Sequence, residues 1–95
     1  MTTNNNYALI TGATSGIGYE LAKLFAQDGY NLIIVARDAN ELEKVSVEFH
    51  QQFEVDIVKI STDLFDTQNA FALYEKVKSQ GLNVSVLVND AGQGL

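Results

Sequence analysis

The chain has 95 residues, 12 acidic against 6 basic side chains, a net charge of −6 and no cysteine. That length holds one small domain at most, and the acidic balance argues against nucleic acid or an anionic membrane surface as a partner, since both select a basic patch. Without cysteine there is no disulfide framework, no thiolate nucleophile and no cysteine-based metal site. The segment Met1 to Asn6 is polar and uncharged, unlike a signal peptide, and no apolar stretch reaches membrane-spanning length, so a soluble cytoplasmic protein is expected.

Strand and helix patterns alternate along the chain. A first strand is predicted from about Tyr7 to Thr11, then a helix from about Gly16 to Gln27 with Ile17, Leu21, Leu24 and Phe25 on its inward face and Gly29 just past its end. A second strand runs from Asn31 to Ala36, and its unbroken apolar run Leu32-Ile33-Ile34-Val35 suggests cover on both faces. Asp38 is a candidate N-cap, with Glu41 three residues later as in a capping box, for a helix to about Gln52 that buries Leu42, Val45, Phe49 and Phe53. The mixed stretch Val55 to Ser61 fits an edge strand. A third helix begins at Asp66 or Thr67, turns Phe71, Tyr74 and Val77 inward and stops at Gly81. The fourth strand is Val84 to Asn89. Right-handed crossovers then give an α/β fold, a doubly wound parallel sheet in the order 3-2-1-4 with three helices. Strand four would present an unpaired edge with apolar residues on both faces, open to pairing with another copy. Such a sheet normally continues, so the chain reads as the N-terminal part of a single domain in a longer protein.

Between the first strand and the first helix lies Thr11-Gly12-Ala13-Thr14-Ser15-Gly16-Ile17-Gly18. A strand, a glycine-rich turn and a helix N-terminus together make an anion site, where backbone N–H groups and the positive end of the helix dipole face a phosphate. Gly12 permits a sharp exit from the strand, Gly16 lets backbone approach a pyrophosphate, and Gly18 lets the helix lie close to the sheet. No Gly-Lys-Ser/Thr follows, which excludes a P-loop.

The pattern Thr11-Gly12-x-x-x-Gly16-Ile17-Gly18 near the N-terminus resembles the short-chain dehydrogenase/reductase family, whose domain is a Rossmann-type sheet. The resemblance implies that Gly12, Thr14, Ser15, Gly16, Ile17 and Gly18 contact a nicotinamide dinucleotide. The acidic residue that takes the ribose hydroxyls in NAD sites ends strand two. Here that position is Ala36, followed by Arg37, the only arginine. An alanine removes the carboxylate that would repel a 2′-phosphate, and an arginine offers it a planar cationic fork, so NADP(H) is implied ahead of NAD(H). Two other readings stand beside it. Arg37 pairs at the surface with Asp38 or Glu41, or the register slips so that Asp38 binds the ribose and the cofactor is NAD.

Two further stretches carry the resemblance. It implies that Asp63 takes the adenine amino group with support from the Leu64 backbone, although Asp63 is equally placed to cap the next helix. It also matches Asn89-Asp90-Ala91-Gly92 to the family's Asn-Asn-Ala-Gly signature, with Asn89 and Ala91 along the adenosine ribose and Gly92 letting backbone approach the cofactor. Asp90 departs from that signature, exchanging an amide donor for a charge.

The family's catalytic serine, Tyr-x-x-x-Lys pair and assisting asparagine all follow strand four. Tyr19/Lys23 and Tyr74/Lys78 have the same spacing, but on helices that precede it. His50, the only histidine, is expected near a helix end, and no zinc set can be built around it. The implied function is the cofactor-binding portion of an oxidoreductase for carbonyl or alcohol substrates, with no catalytic residue in this chain. A non-catalytic NADP(H)-binding sensor or interaction module is the alternative. An S-adenosylmethionine methyltransferase is disfavoured, because its adenosine site wants an acid where Ala36-Arg37 stand.

Overall fold

The computed structural model describes residues 6–14, 16–62 and 67–89. Its elements are β1 (Asn6–Thr11), α1 (Gly16–Gln27), β2 (Asn31–Ala36), α2 (Ala39–Phe53), β3 (Ile57–Ser61), α3 (Thr67–Ser79) and β4 (Asn83–Asn89). The strands form one sheet in the order β3-β2-β1-β4, with every neighbouring pair parallel. This is the α/β arrangement that the alternating patterns predict.

The sheet divides the core in two. Ala8, Ile10, Leu32 and Ile34 pack with Ala22 and Ala26 of α1 and Leu42, Val45 and Phe49 of α2. Tyr7, Leu9, Ile33 and Val35 face the other way, with Val77 of α3. Successive residues of β2 therefore enter opposite cores, which is why Leu32 to Val35 are all buried and why the strand reads as an unbroken apolar run.

Two helix faces differ from expectation. In α1 the buried stripe is Gly18, Ala22 and Ala26, while Ile17 and Leu24 are 67% and 58% exposed. Small residues at four-residue spacing let the helix axis approach the sheet, and the larger side chains flank the contact. In α3, Leu73 and Val77 turn inward, whereas Phe71 and Tyr74 are 68% and 61% exposed. Phe71, Tyr74 and Lys78 share a different stripe, and the Lys78 ammonium stands 5.7 Å from the Tyr74 ring centroid.

Helix α2 follows the sequence reading closely. Asp38, in extended conformation, accepts hydrogen bonds from the N–H groups of Asn40 (2.9 Å) and Glu41 (3.2 Å). Such a cap contributes about 1 kcal/mol. Strand β3 begins at Ile57 rather than Val55, and the residues before it are held by contacts with α2 and the start of β2. His50 Nδ1 lies 2.9 Å from the Val55 carbonyl, and the Asp56 N–H donates to Asn31 Oδ1 at 3.0 Å.

Strand β4 starts one residue early, at Asn83, and its register against β1 slips between Tyr7 and Ala8 so that Ser85 is passed over. Val84 thus joins the α3 core while Val86 and Val88 join the α1/α2 core. An inserted residue turns the following side chains to the opposite face. The Asn6 side-chain oxygen accepts from Asn83 Nδ2 (3.0 Å) and Ser85 Oγ (3.2 Å) and so ties the slip in place. Among the described residues no helix is long and apolar enough to cross a membrane.

Candidate functional site

Parallel pairing brings the carboxyl ends of the strands to one side of the sheet. Thr11 lies opposite Val35 on β2 and Asn89 on β4, and Ala36 lies opposite Ser61 on β3. The connection from β1 to β2 crosses the α1 face, whereas α3, which precedes β4, lies against the other. The order therefore reverses between β1 and β4, the place where ligands bind in open α/β sheets.

The glycine turn leaves β1 at this point. Gly12 adopts φ 69° and donates its N–H to the Val35 carbonyl at 2.8 Å, carrying the ladder one residue past the strand. Gly16 adopts φ 61° as α1 begins, and a β-carbon there would meet nothing within 4 Å. Its glycine is thus required by backbone conformation, and the space beside it is open, as a cradle for an approaching ligand must be. A side chain in that conformation costs about 1–2 kcal/mol. Beside the turn, Thr14, Gly16, Ile17, Tyr19, Glu20 and Leu21 line an open depression of ≈ 550 Å³. No carboxylate stands in the first turn of α1, whereas α2 has Asp38 as its cap and Glu41 in its first turn. The positive end of the α1 dipole is therefore not offset by an acid of its own first turn.

Arg37 follows β2 directly and is exposed. Its carbonyl accepts a hydrogen bond from Ser61 Oγ at 2.9 Å. The carboxylate of Asp38 is committed to capping α2, and Glu41 faces Lys44 at 3.9 Å. Of the other predicted positions, Gly12, Thr14, Gly16, Ile17 and Gly18 come together at the turn, and Asn89 closes β4 beside Thr11. Ser15, Asp63, Leu64, Ala91 and Gly92 lie outside the described residues, as do Asp66 and Asp90.

The structure also brings together groups that sequence spacing did not connect. The Tyr19 hydroxyl donates to Glu48 Oε2 at 2.6 Å, joining α1 to α2, and its ring centroid is 5.3 Å from that of Phe49. Acceptance by Glu48, then burial, pushes the Tyr19 phenol up to about 12, so it stays protonated at neutral pH. Because this folded value lies above the unfolded value near 10, its contribution to stability is complete below pH 10 and is lost as pH rises through about 12. In a spectrophotometric titration, Glu48→Gln should bring one tyrosine ionisation back toward 10. An unchanged curve would refute the contact. Tyr74 and Lys78 lie on α3, across the sheet from α1. His50 is exposed in the last turn of α2, as expected.

The family profile described as short chain dehydrogenase matches residues 6–94. The chain belongs to the short-chain dehydrogenase family. It is 40% identical over 88 residues to a very-long-chain 3-oxoacyl-CoA reductase-like protein of Arabidopsis thaliana, covering 92% of this chain and 28% of that protein. The crystal structure of L-sorbose reductase from Gluconobacter frateurii, complexed with NADPH and L-sorbose, superposes with a TM-score of 0.85 at 32% identity, over 92% of this chain and 33% of that one. A short-chain dehydrogenase from Sphingobium yanoikuyae in complex with NADPH gives 0.84 at 31% identity, over 93% and 34%. This short-chain dehydrogenase chain thus spans about a third or less of each of these three proteins.

Proposed function

We propose that this chain is the cofactor-binding portion of an NADP(H)-dependent oxidoreductase acting on carbonyl or alcohol substrates. One observation carries the choice of NADP(H): the Asp38 carboxylate caps α2, so the end of β2 offers Arg37 rather than an acid. The NADPH held by the Gluconobacter and Sphingobium proteins supports the same reading.

In this reading the turn formed by Gly12, Thr14, Ser15, Gly16, Ile17 and Gly18 holds the pyrophosphate with backbone N–H groups and the α1 dipole. Arg37 takes the 2′-phosphate, Asp63 and Leu64 hold the adenine, Asn89 and Ala91 follow the adenosine ribose, and Gly92 lets backbone approach the cofactor. When bound, the nicotinamide supplies the hydride exchanged with a carbonyl or alcohol. A 3-oxoacyl thioester, the class named for the Arabidopsis relative, contains such a carbonyl. The catalytic set belongs to the remainder of the complete protein. Tyr19 is engaged by Glu48, and Tyr74 stands on the sheet face away from α1, so neither serves as the proton donor.

Calorimetric titration of the protein with NADP⁺ and NAD⁺ at one salt concentration tests the reading. NADP⁺ should bind roughly ten- to a hundredfold more tightly, as a charged hydrogen bond to the 2′-phosphate predicts. Equal binding, or tighter NAD⁺, would contradict it. Enzyme-dependent NADPH oxidation by the 95-residue chain would place catalytic residues inside it.

A further inference from the structure

We propose that Ser61 is a positioning residue for dinucleotide selectivity, holding the backbone of Arg37 from the neighbouring strand. The inference rests on the reading of Arg37 as the 2′-phosphate ligand. The β2–β3 ladder reaches the Thr62 N–H, which donates to the Ala36 carbonyl at 2.9 Å. Beyond that point the chain must pass from an extended strand to a helix, and only Arg37 and Asp38 separate Ala36 from Ala39. Ser61 Oγ donates to the Arg37 carbonyl at 2.9 Å, so a side chain adds one rung past the last backbone rung. On the other side, Asp38 Oδ1 accepts from the N–H groups of Asn40 and Glu41. The Arg37 carbonyl is thus held from β3, and the residue after it, Asp38, is fixed to the first turn of α2.

This placement has a selective consequence. Recognition of phosphate by a guanidinium depends on its planar fork meeting the oxygens in a defined orientation. Loosening the backbone beneath Arg37 weakens that fit. The glycine turn follows β1, which β2 separates from the strand that carries Ser61. Loss of the Ser61 hydroxyl therefore affects the ligand that carries a 2′-phosphate and spares the one that lacks it. Ser61 is exposed on an edge strand, so truncating it removes no packed core volume.

The test is calorimetric titration of wild type, Ser61→Ala, Ser61→Thr and Arg37→Ala with NADP⁺ and with NAD⁺. Ser61→Ala should lower NADP⁺ affinity roughly two- to tenfold, the range of one net hydrogen bond, and leave NAD⁺ affinity unchanged. Ser61→Thr keeps a hydroxyl and should restore the wild-type ratio. Combined with Arg37→Ala, Ser61→Ala should add nothing to the loss of selectivity. If Ser61→Ala weakens both dinucleotides equally, or neither, while Arg37→Ala still removes the preference, Ser61 is only structural and the proposal is overturned. If Arg37→Ala leaves the ratio untouched, the cofactor reading fails and the role of Ser61 falls with it.

Discussion

Replacing Arg37 by aspartate is expected to turn the dinucleotide preference around. The change removes a cation whose hydrogen bond to phosphate is worth about 1.5–3 kcal/mol, and sets a negative charge against the 2′-phosphate. NADP⁺ affinity should fall by at least roughly ten- to a hundredfold. NAD⁺ should then be the more tightly bound of the two, because it carries no 2′-phosphate for the new carboxylate to repel. The native Asp38 carboxylate instead accepts from the N–H groups of Asn40 and Glu41 at the first turn of α2. Titration of the variant with both dinucleotides measures the ratio directly. Repeating it at higher ionic strength should narrow the wild-type preference, as screening weakens an exposed charge pair. A ratio that stays constant through the substitution would make Arg37 a surface cation.

Truncating Phe49 to alanine should have the largest effect on stability. Phe49 is fully buried, and its ring packs 5.3 Å from Tyr19 and 5.9 Å from Phe53, centroid to centroid. It lies in the α1/α2 core, where the cavity left by a lost phenyl ring costs about 3–5 kcal/mol. Small domains are stable by only about 5–15 kcal/mol, so urea unfolding should shift to far lower denaturant. Phe71→Ala is the control. Phe71 is 68% exposed on α3, and its loss should stay within about 0.5 kcal/mol. Similar losses at the two positions would contradict the assignment of inward faces.

Those two phenylalanines mark where local pattern ends and packing takes over. The alternation of strand and helix, the unbroken apolar run of β2, the Asp38 cap and the strand–glycine–helix turn are local properties. Each depends on residues a few positions apart, so the order of elements, the parallel sheet and the placement of the glycine turn follow from sequence alone. The Ala36-Arg37 pair is also legible there, but its alternative, Asp38 as the ribose acid, is not resolved by spacing. Only the folded chain shows the Asp38 carboxylate turned to the N–H groups of Asn40 and Glu41.

Tertiary structure decides which of several apolar stripes meets the sheet. Apolar periodicity marks Ile17, Leu21, Leu24 and Phe25, yet closest approach favours the small residues, and α1 buries Gly18, Ala22 and Ala26. The same choice in α3 buries Val77 and leaves Phe71 and Tyr74 outside. The slip at Ser85 depends on how β4 meets β1, far away in sequence. Tyr19 with Glu48, and Ser61 with Arg37, are likewise 29 and 24 residues apart. No local pattern encodes such pairs, because they exist only when helix packing or strand pairing closes the loop between them. The chemistry available to this chain is written in its local motifs, and the orientation of that chemistry is set by long-range contacts.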